Sequence, residues 1–353
     1  MLENTLFRLK HEKKLRIGYF GGSITDGTGS SDADTKSYRS QVTRHLRETY
    51  PACEITELNA AIGGTGTGLG MFRCERDLLF FKPDLIFMEF AANDFGDRYE
   101  NVIAHSEAIF RKIRSKFPLS DIVTIFTSYE SIMKTLESGG EYGSRSAQTA
   151  AGHYYGVARI DAGEALRSHY MRSGLDYTDY MPDHVHPNDT GHKILADCIW
   201  ARLSEMLENA EKTTGLVPYK MPQRLTDVNF DNARTVPCRE LDGLKTNGFT
   251  FADAPSGERF TECLEGKAGN SFSFTFNGEG LGFYWTGGGI SADAFVSIDG
   301  GEQIRAVSWD HFDRSFDKIS AAVFAEGLNR GEHTVTVTAD EGALVRISAV
   351  MIY

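Results

Sequence analysis

The sequence has no long apolar stretch. No segment reaches the roughly 18 to 20 apolar residues that a membrane-spanning helix needs. The first twenty residues also lack the apolar run after a basic stretch that marks a secretory signal peptide. These absences predict a cytoplasmic protein without a membrane partner.

Cysteine is scarce and scattered along the chain. The odd number and the lack of any Cys-x-x-Cys pair argue against a disulfide framework. Free thiols buried in apolar patterns are the ordinary outcome for such residues in a reducing compartment. The five cysteines are Cys53, Cys74, Cys198, Cys238 and Cys263.

Positive charge is also in deficit. The 37 lysines and arginines are outnumbered by 49 aspartates and glutamates, which gives a formal net charge of −12. This balance disfavours nucleic acid and anionic membrane surfaces as partners. The 41% of hydrophobic and 24% of charged residues are typical of a soluble globular protein, and 353 residues indicate about two domains.

The first part of the chain alternates strand and helix patterns, which indicates a parallel sheet with helices on both faces. Residues 130–155 are polar and rich in glycine, and they predict an irregular surface excursion. Strands are predicted over 14–20, 54–59, 84–90, 122–127 and 157–161. Helices are predicted over 37–50, 71–81, 104–117 and 162–171, followed by a long helix capped by Thr190.

The last third of the chain has a different texture. From residue 237 onward, short runs of alternating apolar and polar residues are separated by turns such as Asn277-Gly278, which predicts an all-β sandwich. Residues 208–236 show no periodicity and predict a loosely packed linker. The sequence therefore predicts a catalytic domain over 1–207, the linker, and a β-sandwich domain over 237–353.

Three loops at strand ends carry residues suited to acyl transfer. Ser23 follows Gly21-Gly22 at the end of the first strand, where the carboxyl edge of an α/β sheet binds ligands. Asp183 stands three residues before His186, a spacing that lets the carboxylate orient the imidazole and leaves Nε2 free for the serine. These three side chains are the predicted nucleophile, base and orienting acid.

Donors for a developing oxyanion can come from the same edge of the sheet. Asn93 follows a buried strand, and Gly64 lies in a glycine run that can present a backbone N–H. Together with the N–H of Ser23 they give three predicted donors.

Two other chemistries are weaker alternatives. The glycine run 63–70 does not match Gly-x-Gly-x-x-Gly, so a dinucleotide site is disfavoured. Acidic and histidine side chains are dense enough near His186 to suggest a metal, but no second cluster completes a ligand shell. We expect no metal and no cofactor. The side chains of that dense group are Asp183, His184, His186, Asp189 and His192.

The order Ser23, Gly64, Asn93 and Asp183-x-x-His186 resembles the four blocks of the SGNH hydrolases, also called the GDSL lipase/esterase family. The resemblance covers about residues 14–207. It implies a flavodoxin-like three-layer fold, a Ser-His-Asp triad without metal, and the oxyanion donors named above. Gly22 departs from the Asp of the family name, as in the Gly-Gly-Ser-Ile-Thr variants among carbohydrate esterases, and Ala92 stands where glycine is common.

The β domain resembles the galactose-binding-like jelly rolls of carbohydrate-binding modules. Its aromatic residues invite a sugar-binding interpretation, because sugar rings stack on aromatic faces. Trp285 and Trp309 are the predicted substrate contacts, with core packing as the alternative for Trp285 and its neighbour Tyr284.

The domain order resembles bacterial acetylesterases that act on acetylated mannan, as in carbohydrate esterase family 17. Together with the lack of a secretion signal, this predicts an acetylesterase that deacetylates imported plant oligosaccharides during hemicellulose degradation. The alternatives are an acetyl-xylan esterase, another SGNH esterase such as a lysophospholipase, or a non-catalytic carbohydrate-binding protein. The sequence leaves the oligomeric state unknown.

Overall fold

The computed structural model describes residues 2–254, 260–285, 292–308, 320–341 and 344–353. Their contacts divide the chain into two compact units, Met1–Asp231 and Asn232–Tyr353. In this described part, no helix is both long and apolar enough to cross a membrane.

The first unit is built on a parallel sheet with the strand order β2-β1-β3-β4-β5, which is the flavodoxin-like order. Every residue of β3 and β4 is buried, as expected for central strands covered on both faces. The strands of this sheet are β1 (Lys14–Gly21), β2 (Glu54–Asn59), β3 (Leu85–Glu89), β4 (Asp121–Phe126) and β5 (Ala158–Asp161).

Helices cover the sheet, with α6 packed against α5 and α8, and α10 packed against α4 and α9. Leu15, Ile17 and Tyr19 of β1 join the core cluster that also holds Leu195 and Ile199 of α10. The helices are α1 (Glu3–Phe7), α2 (Ser23–Asp26), α3 (Ala33–Lys36), α4 (Tyr38–Thr49), α5 (Thr67–Asp77), α6 (Tyr99–Lys116), α7 (Glu130–Glu137), α8 (Gly143–Tyr154), α9 (Ala162–Ser173) and α10 (Asp189–Asn209).

The second unit consists of antiparallel strands in two sheets, ordered β13-β12-β15-β10-β7 and β14-β11-β16-β9-β8, with β6 beside β16. Phe272, Phe274 and Phe276 alternate into its core along β10, as the sequence pattern predicts. The strands are β6 (Arg234–Pro237), β7 (Asp242–Asn247), β8 (Thr250–Asp253), β9 (Glu262–Gly266), β10 (Ser271–Gly278), β11 (Leu281–Trp285), β12 (Ala294–Ile298), β13 (Ile304–Ala306), β14 (Ser320–Ala325), β15 (Gly331–Ala339) and β16 (Val345–Ile352).

The predicted fold class, a flavodoxin-like α/β domain followed by an all-β domain, is therefore confirmed. Two local expectations are wrong. Residues 130–155 form α7 and α8 rather than an irregular excursion, because small residues such as Ala147 and Ala151 bury one face of α8. The long helix is capped by Asn188, whose side chain accepts the Gly191 N–H at 3.1 Å, and not by Thr190.

The segment predicted as a loosely packed linker is instead held by the first unit. Val217 and Asn4 exchange two hydrogen bonds, of 2.8 and 2.7 Å, and the Tyr219 hydroxyl donates to Asp121 at 2.9 Å. Residues up to Asp231 belong to this unit by their contacts. The division into a catalytic and a carbohydrate-binding domain stays a prediction.

Candidate active site

Ser23 lies at a sharp turn where β1 ends. Strand β1 stops at Gly21, Gly22 caps the following helix in an extended conformation, and Ser23 is the first residue of the short helix α2. The Gly22 N–H donates to the carbonyl oxygen of Glu89 at 3.2 Å, which ties the turn to the end of β3. This anchoring fixes the serine at the carboxyl edge of the sheet.

A second loop brings an imidazole to this serine. The Oγ–H of Ser23 donates to Nε2 of His186 at 2.8 Å, and Nδ1–H of His186 donates to Oδ2 of Asp183 at 2.6 Å. This tautomer is assigned from the hydrogen-bond network. The three side chains predicted as nucleophile, base and orienting acid thus form one continuous chain of hydrogen bonds.

Backbone groups hold Asp183 in place for this contact. Its Oδ1 accepts hydrogen bonds from the backbone N–H groups of His186 and Val185 at 2.7 and 3.0 Å. These bonds fix the conformation of the loop that joins Asp183 to His186. Burial raises the pKa of Asp183, but the hydrogen bonds from His186 and Val185 outweigh burial and leave that pKa below its ordinary value. Asp183 is therefore ionised at neutral pH, as an acid that stabilises an imidazolium must be.

The predicted oxyanion donors lie next to Ser23. A Cβ built on Gly22 would meet Asn93 Oδ1 at 1.9 Å, so the exposed Asn93 side chain lies directly over the turn that carries the serine. A Cβ on Gly63 would lie 3.5 Å from Ser23 Cβ, and Gly64 follows with a φ of 72°, a conformation that favours glycine. The structure brings these groups together, and their roles as donors stay a prediction.

Asp94 anchors the loop that carries Asn93. This buried carboxylate accepts the Thr67 N–H at 2.8 Å, the Thr67 hydroxyl at 2.9 Å and Nε2 of Gln148 at 2.9 Å. Burial raises its pKa to about 7 despite these bonds. Sequence reasoning missed Asp94, although its place beside Asn93 after a buried strand was an available signal.

Glu89 is a second supporting residue that sequence reasoning missed. It is fully buried at the end of β3 and accepts the hydroxyls of Thr25 at 2.9 Å and Thr127 at 2.8 Å. Burial raises its pKa, with the two hydroxyls acting in the opposite direction. The available signal was a lone acid inside the apolar run of residues 84–90.

The dense group that suggested a metal site is divided among separate partners. His184 donates to Glu130, Asp189 accepts from Ser31, and His192 bridges the Thr28 carbonyl and the Tyr38 N–H. Burial lowers the pKa of His192 to about 4, so its ring is neutral and structural. Within the described ranges, no group of three or more His, Cys, Asp or Glu side chains is arranged to hold a metal ion.

The two predicted sugar contacts of the β domain are Trp285 and Trp309. The interpretation of Trp285 as a substrate contact is wrong, because this residue is 2% exposed and packs edge-on against Phe283 in the core of the second unit. A buried ring face cannot stack on a sugar. Trp309 lies outside the described residues.

Residues 19–194 match the model of the GDSL-like Lipase/Acylhydrolase family. The chain belongs to this family. It is a serine ester hydrolase, and the predicted family membership is confirmed. No curated protein matches the chain.

Solved structures similar to this GDSL-like hydrolase include a two-domain esterase (CEX) active on acetylated mannans. One crystal structure of that esterase has a TM-score of 0.84 at 21% identity, with 100% of this chain and 95% of that chain covered. Another crystal structure, with mannopentaose, has a TM-score of 0.81 at 21% identity, and the match covers 99% of this chain and 94% of that chain. At this identity the likeness establishes the shared fold.

Proposed function

We propose that this GDSL-like hydrolase removes acetyl groups from acetylated plant oligosaccharides, with acetylated manno-oligosaccharides as its main substrates. The observation that carries the proposal is the hydrogen-bond chain from Asp183 through His186 to Ser23, with distances of 2.6 and 2.8 Å. Such a chain activates a serine hydroxyl for attack on an ester carbonyl.

In the first half of the reaction, Ser23 Oγ attacks the acetyl carbonyl carbon as His186 Nε2 takes the hydroxyl proton. The ionised Asp183 stabilises the resulting imidazolium through Nδ1–H. The carbonyl oxygen becomes an oxyanion, which receives hydrogen bonds from the Ser23 and Gly64 N–H groups and the Asn93 amide. The C–O bond to the sugar then breaks, and the sugar oxygen leaves with the proton from His186.

In the second half, water attacks the acetyl-serine. His186 takes a proton from that water, the same donors hold the second oxyanion, and the ester bond to Ser23 breaks as Oγ regains its proton. Acetate is released and the hydrogen-bond chain is restored. Every group required by this cycle lies within Met1–Asp231.

The substrate class is supported by the likeness over nearly the whole chain to an esterase described as active on acetylated mannans and crystallised with mannopentaose. The formal charge of −12 agrees with a neutral substrate rather than an anionic one. The alternatives are acetylated xylan, the ester of a longer acyl chain such as a lysophospholipid, and carbohydrate binding without catalysis.

Acetate release from a panel of acetylated manno-, xylo- and pectic oligosaccharides tests the proposal when followed by mass spectrometry. Long-chain p-nitrophenyl esters join the panel as lipid-like substrates, and the Ser23→Ala variant serves as the control. We expect the manno-oligosaccharides to lose acetyl fastest and the variant to be inactive. Faster release from xylo-oligosaccharides or from long acyl chains would replace the proposed substrate, and binding without acetate release would favour the non-catalytic alternative.

A further inference from the structure

Arg73 of α5 is completely buried beneath two of the loops that form the candidate site. It is 0% exposed, and a charged side chain is rarely buried completely unless it is paired. One guanidinium nitrogen donates to the Ala60 carbonyl at 2.5 Å. The other donates to the Gly21 carbonyl at 3.0 Å and to the Thr65 hydroxyl at 3.1 Å.

These acceptors stand next to the proposed oxyanion donors. Gly21 is the last residue of β1 and lies two positions before Ser23, whereas Thr65 directly follows Gly64. A single guanidinium nitrogen therefore bonds both to the loop that supplies the Ser23 N–H and to the loop that supplies the Gly64 N–H.

Further bonds make this junction rigid. The Thr65 hydroxyl donates to the Ile62 carbonyl at 2.8 Å, so its oxygen is oriented to accept from Arg73. The Ile62 N–H donates to the Gly21 carbonyl at 3.0 Å, so that carbonyl accepts hydrogen bonds from both Ile62 and Arg73. The two loops are thus joined directly and through the guanidinium.

Aromatic rings and one carboxylate fix the plane and the charge of the guanidinium. The Arg73 Cζ atom lies 4.3 Å from the centre of the Phe20 ring and 5.6 Å from that of Phe90. A carboxylate oxygen of Asp77 lies 3.4 Å from a guanidinium nitrogen of Arg73 and balances its positive charge. A lysine cannot reproduce this arrangement, because its ammonium is a point charge without a planar fork of donors.

We propose that Arg73 is a positioning residue that sets the relative placement of the Ser23 and Gly64 backbone N–H groups for the oxyanion. The proposal rests on the proposed serine esterase mechanism. Oxyanion donors act only when they lie about 2.7–3.1 Å from the oxygen of the transition state. A displacement of about 1 Å can lower the rate about 100-fold, so the link between the loops acts on kcat rather than on substrate binding.

The Arg73→Lys variant tests the proposal, with Arg114→Lys as the matched control. Arg114 is also a buried arginine on a helix of the first unit, where it donates to the Tyr155 carbonyl at 3.1 Å and stacks on Tyr219, and within the described residues its hydrogen bonds go to neither loop. The kcat and KM for p-nitrophenyl acetate are measured on monodisperse protein whose folded fraction is known from circular dichroism. We expect Arg73→Lys to lose about 10- to 100-fold in kcat with KM changed less than about 3-fold, and Arg114→Lys to keep its kcat within about 2-fold.

A boronic acid that forms a tetrahedral adduct with the serine provides a readout of the oxyanion site itself. Its affinity is expected to fall in Arg73→Lys in proportion to kcat and to stay unchanged in Arg114→Lys. The milder Thr65→Val variant removes the hydroxyl that accepts from Arg73 and donates to the Ile62 carbonyl, and we expect its kcat and boronate affinity to fall together. It provides the test if Arg73→Lys does not fold.

A folded Arg73→Lys or Thr65→Val protein with wild-type kcat and boronate affinity would overturn the proposal, and so would an equal loss in Arg114→Lys. The Ser23→Ala variant separates this outcome from failure of the proposed function. If Ser23→Ala keeps wild-type activity, the serine mechanism itself fails. If Ser23→Ala is inactive and Arg73→Lys is normal, only the role of Arg73 fails.

Discussion

Gly22 and Asn93 lie so close together that the site has no room for a larger residue at position 22. A Cβ at Gly22 would meet Asn93 Oδ1 at 1.9 Å and Cγ at 2.8 Å. We expect Gly22→Ala to push the amide away from the oxyanion and to lower kcat for p-nitrophenyl acetate by about 10²–10³, the usual effect of losing one such donor. Gly215→Ala, which places its Cβ in open space, should leave kcat unchanged.

The double variant Gly22→Ala/Asn93→Ala shows whether the two residues act through one contact. Since the new methyl harms the enzyme only by moving Asn93, the double variant should be no slower than Asn93→Ala alone. Additive losses in kcat would show that Gly22 acts through some other group.

Asp94 makes the stability of the protein depend on pH. Its pKa is raised from an ordinary 3.8 to about 7, so the unfolded chain releases this proton more readily than the folded protein does. The contribution of Asp94 to stability is fully present below about pH 4 and is lost as the pH rises to about 7, by up to about 4 kcal/mol.

We expect Asp94→Asn to lack this loss of stability. Its amide can donate to Gln148 Oε1, an atom that is buried and has no partner in the described residues. The Tm of wild type minus that of the variant, measured from pH 4.5 to pH 8, should therefore fall with rising pH. A difference that stays constant or rises would contradict the raised pKa of Asp94.

The site residues that could be predicted from the sequence are those whose partners are near in the chain or whose motif is distinctive. Asp183 and His186 are three residues apart and share one loop, and Ser23 stands out after two glycines. Arg73 and Glu89 were missed because their roles depend on contacts with other elements of the fold, such as Gly21 for Arg73 and Thr127 for Glu89. An arginine in a helical pattern is normally expected to face solvent, and only the fold shows that Arg73 is buried beneath a loop.

At the scale of elements, the start of α10 fixes the end of the loop that carries His186. Asn188 accepts the Gly191 N–H at 3.1 Å, and its amide donates to the Asp179 carbonyl at 2.7 Å. The cap therefore joins the helix to the segment that enters the loop.

We expect Asn188→Ala to lower the free energy of unfolding by about 1 kcal/mol, the usual effect of losing a helix cap, and to lower kcat as well. Asn188→Asp keeps the acceptor for the Gly191 N–H and should lose less stability. Chemical denaturation of the three proteins measures this order. Equal stability of Asn188→Ala and wild type would show that the cap does not hold the helix.

Strands and most helices of the first unit could be predicted because large apolar residues mark their period. Helices α7 and α8 could not be predicted, because Gly139, Gly140 and Gly143 are typical of loops. In addition, α8 buries small alanines instead of the large apolar residues that mark a helical period. These helices matter for the site, because Gln148 of α8 binds Asp94 and Glu130 of α7 binds His184. The missed elements are thus those that brace the predicted loops from outside.

At the scale of the whole molecule, the segment after α10 completes the first unit. The fully buried Glu107 accepts hydrogen bonds from the N–H groups of Leu225 and Thr226, from the Thr226 hydroxyl and from Tyr155. Without residues 225 and 226 the carboxylate would lose three of these four hydrogen bonds, and losing hydrogen bonds to a charged group destabilises the first unit.

We therefore expect a chain of residues 1–231 to unfold cooperatively and to hydrolyse p-nitrophenyl acetate, whereas a chain of residues 1–209 should aggregate or unfold. Thermal denaturation and the specific activity of the two truncated proteins test this difference. Equal stability of the two would restore the predicted linker as a loosely packed segment.

Whole-chain architecture could be predicted because the period of apolar residues changes from helix and strand alternation to strand alone near residue 237. The extent of the first unit could not, since residues 210–231 are held by specific polar contacts such as that between Tyr219 and Asp121, which leave no periodic pattern.

In the proposed mechanism, Ser23 carries the acetyl group of a sugar ester during turnover. Rapid quenching of the enzyme with an acetylated manno-oligosaccharide, followed by peptide mass spectrometry, locates that group directly. We predict an acetyl group on the peptide that contains Ser23 in the wild-type protein and none in Ser23→Ala, which should also release no acetate. Acetate released by Ser23→Ala at the wild-type rate, with no acetylated peptide from either protein, would show that Ser23 is not the nucleophile.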